Sequence, residues 1–319
     1  MSILVTGSAG FIGFHLAHRL LQEGIEVVGY DNVNDYYDPS LKEARLRILN
    51  DFDKFKFYRA DLCDFATLQK VFSDQTIEKV VHLAAQAGVR YSLINPFAYQ
   101  KSNLEGFLNI IELSKCAKVK NFIYASSSSV YGNNRHLPFS VQDNVDRPIS
   151  LYAATKKSNE LIAHVYAHLY QLPCTGLRFF TVYGPFGRPD MALFIFTKNI
   201  LEGKPIDVYN FGQMKRDFTY IDDIVAGLRS AIDKPFPYEI FNLGNHRSEN
   251  LMDFIHLIEE YSGRKAQINF QPIQPGDVPE TYADISTATE KLGFVPRTQI
   301  REGIKLFLDW YFEYYHIKK

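Results

Sequence analysis

Cysteine is scarce in this chain, three in 319 residues, and Cys63, Cys116 and Cys174 lie too far apart for metal-ligand spacing. No metal site is expected, and the thiols read as reduced packing residues of a cytoplasmic protein. A charge of one sign is missing too, with 35 Lys plus Arg against 36 Asp plus Glu. A nucleic-acid role finds no electrostatic support, so any anion must be bound locally. No apolar run approaches a membrane span: Ile3-Leu4-Val5 is closed at once by Thr6-Gly7, and no basic segment precedes it. Neither membrane insertion nor a leader is expected, and the fold is expected to start at residue 2. Low-complexity linkers and internal repeats are also lacking. What the chain does have is apolar side chains, 46% of the total. That suffices for a sizeable core, and the length suits one large fold with a smaller lobe.

Residues 2–6 read as a buried strand, Gly7 to Gly13 as a turn, and Phe11 to Gln22 as a helix ended by Gly24. A second strand, Glu26 to Tyr30, stops at Asp31. In such a βαβ unit Gly7, Gly10 and Gly13 permit a tight turn and close backbone approach, so the helix start at Phe11 and Ile12 faces a pyrophosphate. Asp31 stands where a carboxylate accepts hydrogen bonds from ribose hydroxyls and repels a 2′-phosphate, which favours NAD over NADP; Asn32 assists. Two further strands end at Asp61-Leu62 and at Leu83-Ala84-Ala85, each bringing its carboxyl end to the cofactor. His82, inside the second of these apolar strands, reads as a buried, hydrogen-bonded histidine and not a catalytic one.

The run Ser150-Leu151-Tyr152-Ala153-Ala154-Thr155-Lys156 places a phenol and an ammonium four apart, on one face of a helix. An ammonium beside a phenol favours the phenolate and lowers a tyrosine pKa from about 10 toward neutrality, which makes a base. Next to a nicotinamide this is alcohol oxidation chemistry. Upstream, a strand over 121–125 leads into Ser126-Ser127-Ser128-Ser129-Val130-Tyr131-Gly132, hydroxyls at a strand's carboxyl end, where this fold binds ligands. Such a serine relays a proton or binds a substrate oxygen; the same run also suits a plain polar turn. Helices over about 98–115 and 152–170 carry Leu104, Phe107, Leu108 and Ile111, then Leu161, Val165 and Leu169, at helical spacing. Core packing is the first explanation, and pairing in a homodimer is the second.

Taken together, the glycine loop, the Ser-Ser-x-x-Val-Tyr-Gly run and Tyr-x-x-x-Lys resemble the extended short-chain dehydrogenase/reductase superfamily over essentially the whole chain. Within it, Asp31-Asn32-Val33-Asn34-Asp35-Tyr36-Tyr37-Asp38, Ala85-Gln86-Ala87-Gly88-Val89-Arg90-Tyr91-Ser92, Gly184-Pro185-Phe186-Gly187-Arg188-Pro189-Asp190-Met191 and Gln274-Pro275-Gly276-Asp277-Val278 look like UDP-glucuronate 4-epimerases of the NAD-dependent epimerase/dehydratase family. The resemblance implies an α/β fold, a Rossmann-type doubly wound parallel sheet with a smaller mixed α/β lobe on the C-terminal side. Residues 1–180 would bind NAD, with about 215–245 returning to that domain, and 181–319 would mainly form the UDP-sugar lobe.

The implied chemistry is C4 epimerisation of a UDP-sugar with tightly held NAD. Tyr152 would take the proton from O4 while C4 gives up hydride, leaving a 4-keto sugar that turns over and is reduced on its other face. Lys156 would lower the Tyr152 pKa and hold the nicotinamide ribose, and Ser127 aligns with the catalytic Ser/Thr position. Ser128, Ser129 and Thr181 would cradle a glucuronate carboxylate, because the 4-keto uronate is a β-keto acid that loses CO₂ unless its carboxylate is held away from the perpendicular. Related decarboxylases and dehydratases carry acids where Ser128 and Ser129 stand. Arg188 would approach the diphosphate or carboxylate end, Arg216 the diphosphate, and Asp277 the uridine ribose, with Arg90 near the sugar; read from the residues alone, each arginine equally suits an ordinary ion pair.

Gln274 replaces an arginine found in many UDP-glucose 4-epimerases, and Phe186 replaces a tryptophan found in many relatives. The segment from Arg178 to Asp190 reads as a loop over the site, Tyr36-Tyr37 as packing near the adenosine, and the aromatic C-terminus as an amphipathic helix docked on the substrate lobe with Phe307, Trp310, Tyr311 and Tyr314 on one side. Two competitors remain. A 4-epimerase of neutral UDP-hexoses would use the same tyrosine and lysine, and a catalytically silent NAD-binding regulator would need neither.

Overall fold

The computed structural model describes residues 2–274 and 276–318; Pro275, one of the quoted motif residues, lies outside them. Its centre is a seven-stranded parallel sheet. Six strands come from the first part of the chain: β1 (Ser2–Thr6), β2 (Glu26–Asp31), β3 (Phe55–Arg59), β4 (Ile77–His82), β5 (Asn121–Ser127) and β6 (Cys174–Phe179). Between them run α1 (Phe11–Gln22), α2 (Ser40–Asn50), α3 (Phe65–Asp74), the short α4 (Tyr91–Ile94) and α5 (Pro96–Tyr99), a π-helical turn over Gln100–Glu105, α6 (Gly106–Cys116) and α7 (Leu151–Tyr170). The helix expected over 98–115 is therefore one path with a π-turn inside it.

The chain then builds β7 (Thr181–Tyr183), α8 (Ala192–Leu201), β8 (Pro205–Val208), β9 (Lys215–Arg216), β10 (Phe218–Tyr220), α9 (Ile221–Asp233) and β11 (Tyr238–Leu243). It finishes with β12 (Glu249–Asn250), α10 (Leu251–Ser262), β13 (Gln267–Phe270), α11 (Ser286–Leu292) and α12 (Ile300–Tyr314). Strand β11, made late in the chain, pairs with β6, so the main order is β11-β6-β5-β4-β1-β2-β3. The order reverses between β1 and β4, which opens a crevice at the carboxyl ends of those strands.

Side chains alternate across the sheet with the two-residue period of a strand. Ile3, Val5, Val27, Val81 and Ile123 face the core that contains Phe14 of α1 and Leu228 of α9. Leu4, Val28, Val80 and Phe122 face the other, with Leu68 of α3, Phe107 of α6 and Ala163 of α7. The resulting near-continuous apolar strands are what a sheet covered on both faces requires.

Helix α7 begins one residue before Tyr152 because the Ser150 hydroxyl accepts from the Ala153 amide at 3.1 Å, a cap worth about 1 kcal/mol. Leu161, Val165 and Leu169 on this helix, and Leu108 on α6, are exposed and not in the core: nothing else in the described chain covers that face. Helix α12 docks as expected, with Phe307 and Tyr311 buried and Trp310 packed on Phe186 at 4.9 Å. Arg178, by contrast, is no loop residue. It lies in β6, buried, with Nε 2.8 Å from Glu160 of α7, a pair whose one-sided loss would cost about 3–5 kcal/mol. The expected loop shrinks accordingly to the stretch after β7.

Candidate active site

Strand β1 runs directly into the glycine turn. Gly7 has φ +72°, and a Cβ there would lie 2.7 Å from the Ala84 amide nitrogen; one at Gly13 would lie 2.1 Å from the Gly7 carbonyl. Only glycines let the turn fold this closely on the residues that follow β4 and on the start of α1. Helix α1 then opens at Gly10 with no side-chain cap and no acid in its first turn, so its free amides face the crevice and fit an anionic diphosphate. At the end of β2 the Asp31 carboxylate accepts from the Ala9 amide at 3.1 Å and the Val33 amide at 2.8 Å. Burial raises its pKa against those amides and the charges of Lys42 and Arg45. Asn32 donates to Asp61 at 2.8 Å.

The three glycines of the turn, Asp31, Asn32 and Asp61 line one cavity of about 970 Å³. Gly7, Gly10, Phe11, Ile12, Gly13, Asp31, Asn32, Asp61, Leu62, Leu83, Ala84 and Ala85 form one part of its wall, and Arg90, Ser127, Ser128, Ser129, Tyr152, Lys156, Thr181, Arg188, Arg216 and Asp277 another. His82 is not among them. It is buried against Thr6 at 2.8 Å, and burial, with the Lys156 charge second, lowers its pKa to about 3.

The serine run sits differently from its expected place: Ser126 and Ser127 belong to β5, and Ser128 begins a tight 3-10 turn ending at Tyr131. The Ser127 hydroxyl accepts from the Ser129 amide at 3.1 Å, which fixes Ser127, Ser128 and Ser129 around one corner. Burial raises the pKa of the neighbouring Tyr152 phenol, while a hydrogen bond with Ser127 and the charge of Arg188 oppose the rise. Lys156 donates to the Ala125 carbonyl at 2.9 Å, and burial lowers its pKa to about 8. Arg188 thus contributes positive charge at the phenol, a contribution that the four-residue spacing to Lys156 does not suggest.

Arg188 and Asp190 pair at two points, Nε to Oδ1 at 3.0 Å and Nη2 to Oδ2. The Tyr36 hydroxyl donates to the same carboxylate at 3.1 Å, so Tyr36 does more than pack. Arg90 pairs with Asp277 at 3.2 Å and lies over the Tyr209 ring. Arg216 donates to the Pro279 carbonyl at 3.1 Å, and burial lowers its pKa.

Sequence reasoning passed over Tyr99, whose ring meets Tyr152 edge-on at 6.0 Å and whose hydroxyl donates to Ala87 at 3.0 Å. It also passed over Asn103 in the π-turn, which holds Gln86 through both its carbonyl and its amide and reaches Thr155 at 3.0 Å. Asn103 sits where a helix would otherwise carry a packing residue, and π-turns of this kind gather at functional sites.

A crevice at the switch point, an uncapped helix start, an acid closing the second strand, and a half-buried Tyr152 with a buried Lys156 one helical turn on define a nucleotide-dependent enzyme acting on a hydroxyl. The chain belongs to the NAD dependent epimerase/dehydratase family, whose model matches residues 3–244. It is 53% identical to Protein CapI of Staphylococcus aureus over 99% of each chain, and 46% identical to a probable UDP-glucuronate 4-epimerase of Rhizobium meliloti over 99% of this chain and 98% of the relative. Among solved structures, it superposes on the UDP-glucuronic acid 4-epimerase of Bacillus cereus in complex with UDP-glucuronic acid and NAD, with a TM-score of 0.93, 37% identity, and coverage of 99% of this chain and 100% of that one.

Proposed function

We propose that the protein is an NAD-dependent epimerase that interconverts UDP-glucuronate and UDP-galacturonate at C4. The observation that carries this reading is that the Tyr152 phenol shares one cavity with the glycine turn on one side and with three serines, Thr181 and Arg188 on the other. NAD, when bound, supplies a reversible hydride acceptor.

The remaining chemistry belongs to the chain. The Tyr152 phenolate takes the O4 proton and later returns it, with the Ser127 hydroxyl hydrogen-bonded to it throughout. Lys156, fixed on the Ala125 carbonyl, would hold the nicotinamide ribose. Ser128, Ser129 and Thr181 donate hydroxyls to the uronate carboxylate and hold it in an orientation from which CO₂ is not lost, and no carboxylic acid in this corner offers a proton to an enolate. Arg216 and Asp277 secure the diphosphate and uridine ribose while the sugar turns.

In the same reading residues 1–180 bind NAD, about 215–245 return to that domain, and 181–319 mainly hold the UDP-sugar. The exposed Leu108, Leu161, Val165 and Leu169 support a homodimer through the helices near 98–115 and 152–170. Three free cysteines agree with residence in the cytoplasm. No described helix is long and apolar enough to cross a membrane.

The test is to incubate the purified protein with UDP-glucuronate alone and separate the sugar nucleotides with mass detection. UDP-galacturonate, a new peak of unchanged mass, is the expected product. A product lighter by CO₂ would replace this reading with decarboxylation, and no product would send the assay to neutral UDP-hexoses.

A further inference from the structure

Arg45 is fully buried in α2, far in sequence from the catalytic motifs, and its partners are carbonyls and a phenol. Nη1 donates to the Ala9 carbonyl and to the Tyr37 hydroxyl, both at 2.8 Å, and Nη2 donates to the Phe186 carbonyl at 2.6 Å. Burying a guanidinium without a carboxylate on it is costly. Such a group persists where its fixed planar fork holds several acceptors in one geometry.

The two carbonyl acceptors belong to segments whose neighbouring residues line the cavity, Gly7 and Gly10 on one side and Arg188 on the other. Ala9 lies in the glycine turn, and its amide is the one that donates to Asp31. Phe186 lies two residues before Arg188 and adopts a left-handed φ of +55°, a conformation that costs a non-glycine residue energy and persists only where its surroundings fix it. Arg45 supplies that fixation at the carbonyl, and His15 of α1 adds a second hold on the preceding Pro185 carbonyl at 2.8 Å.

We infer that Arg45 is a positioning residue that ties the glycine turn to the loop carrying Arg188, so that seating of the dinucleotide sets the placement of Arg188 over the substrate. The consequence for a uronate rests on the function proposed above. If the loop is displaced, the 4-keto uronate is held less well and its C5–C6 bond breaks: the bond's electron pair enters the C4 enolate, C5 later takes a proton from water, CO₂ leaves, and UDP-4-keto-pentose is released with the C4 hydride left on the cofactor, one reduced cofactor per pentose.

Two measurements test this. In the wild-type protein, hydrogen exchange at the amides of Gly187 and Met191 is compared in NAD-depleted and NAD-loaded samples without any sugar nucleotide. Loading is expected to slow exchange at least about threefold. Arg45→Lys, which keeps the charge but cannot hold the Ala9 and Phe186 carbonyls together, is expected to bind NAD and lose this slowing. In turnover, Arg45→Lys is expected to lower kcat about tenfold or more with KM changed less than twofold, since small misplacements act on the reacting geometry, and to release UDP-4-keto-pentose.

Unchanged exchange in NAD-loaded wild type would overturn the coupling, even if Arg45→Lys does not fold. Normal kcat with no by-product in a folded Arg45→Lys would overturn it as well. Failure of the wild type to epimerise UDP-glucuronate would remove the assigned substrate and leave the exchange result to decide the role of Arg45.

Discussion

The Lys156 ammonium rests on the Ala125 carbonyl at 2.9 Å, in the strand that also delivers Ser126 and Ser127. One main-chain oxygen of β5 thus fixes the lysine, while the next residues of the same strand fix the hydroxyl beside Tyr152. The relative placement of base, cation and hydroxyl is set by sheet and helix backbone, the most rigid support a fold offers.

Tyr152→Phe keeps the ring against Tyr99 and removes the proton acceptor. The variant is expected to retain NAD and lose at least about a thousandfold in turnover, within the range that general base catalysis supplies. Co-purified cofactor and product formation are measured on the same sample; normal turnover would place the base elsewhere.

Lys156→Ala takes a cation away from the site. Its expected effect is to move the rise of activity to higher pH by about one unit, equivalent to about 1.4 kcal/mol. A pH–rate profile checks this, and an unshifted rise would leave Ser127 and Arg188 as the groups that ease ionisation of Tyr152.

Asp31→Ala removes a carboxylate that would repel a 2′-phosphate. The ratio of NAD to NADP affinity should fall about tenfold or more, read by titrating cofactor-depleted protein with each. A constant ratio would mean that the ribose is read by another group.

Ser129→Ala removes a hydroxyl from the serine corner. UDP-glucuronate turnover should fall about tenfold, with UDP-4-keto-pentose appearing among the products. Unchanged kinetics without the by-product would take the carboxylate away from this corner.

Acid should destabilise the fold below neutrality. Burial lowers the folded pKa of His82 to about 3 and of His15 to about 4, from 6.5. The unfolded chain therefore binds protons first, and stability falls as pH drops from about 6.5 toward 4. Asp217, raised by burial to about 6, opposes this: its folded form binds a proton first, adding stability as pH falls through 6. Asp31 and Asp222 are also raised and His18 is also lowered; the shifts of His82 and His15 are the largest that act between pH 6.5 and 5, so Tm should decline on acidification, and His82→Gln should flatten the decline. A Tm that is level from pH 6.5 to 5 in the wild type would contradict the balance.

The parts legible in the sequence are those where chemistry demands a residue type at a fixed short spacing. Gly7, Gly10 and Gly13 open a turn, Asp31 closes a strand, and Tyr152 and Lys156 share a helix face. Arg45, Asp190 and Tyr36 follow no such rule. The Arg45 bond to Phe186 joins residues 141 positions apart and ends on a carbonyl, which every residue type possesses. Nor does periodicity separate a buried stripe from one awaiting a partner: Leu161, Val165 and Leu169 repeat like core residues yet face outward. Arg178 misled for a related reason, since a buried pair with Glu160 leaves only an isolated charge in the pattern of its own strand.

The edge of the main sheet has a bearing on synthesis. Strand β6 is flanked on one side by β5 and on the other by β11, which is made only after β7 to β10 have been laid down. While the nascent chain grows, the β6 edge therefore leaves the ribosome without its neighbour, an open ladder that invites pairing with other chains. Truncation just after β6 would leave that edge open for good, so the aggregation of such fragments should be relieved by adding residues through Leu243.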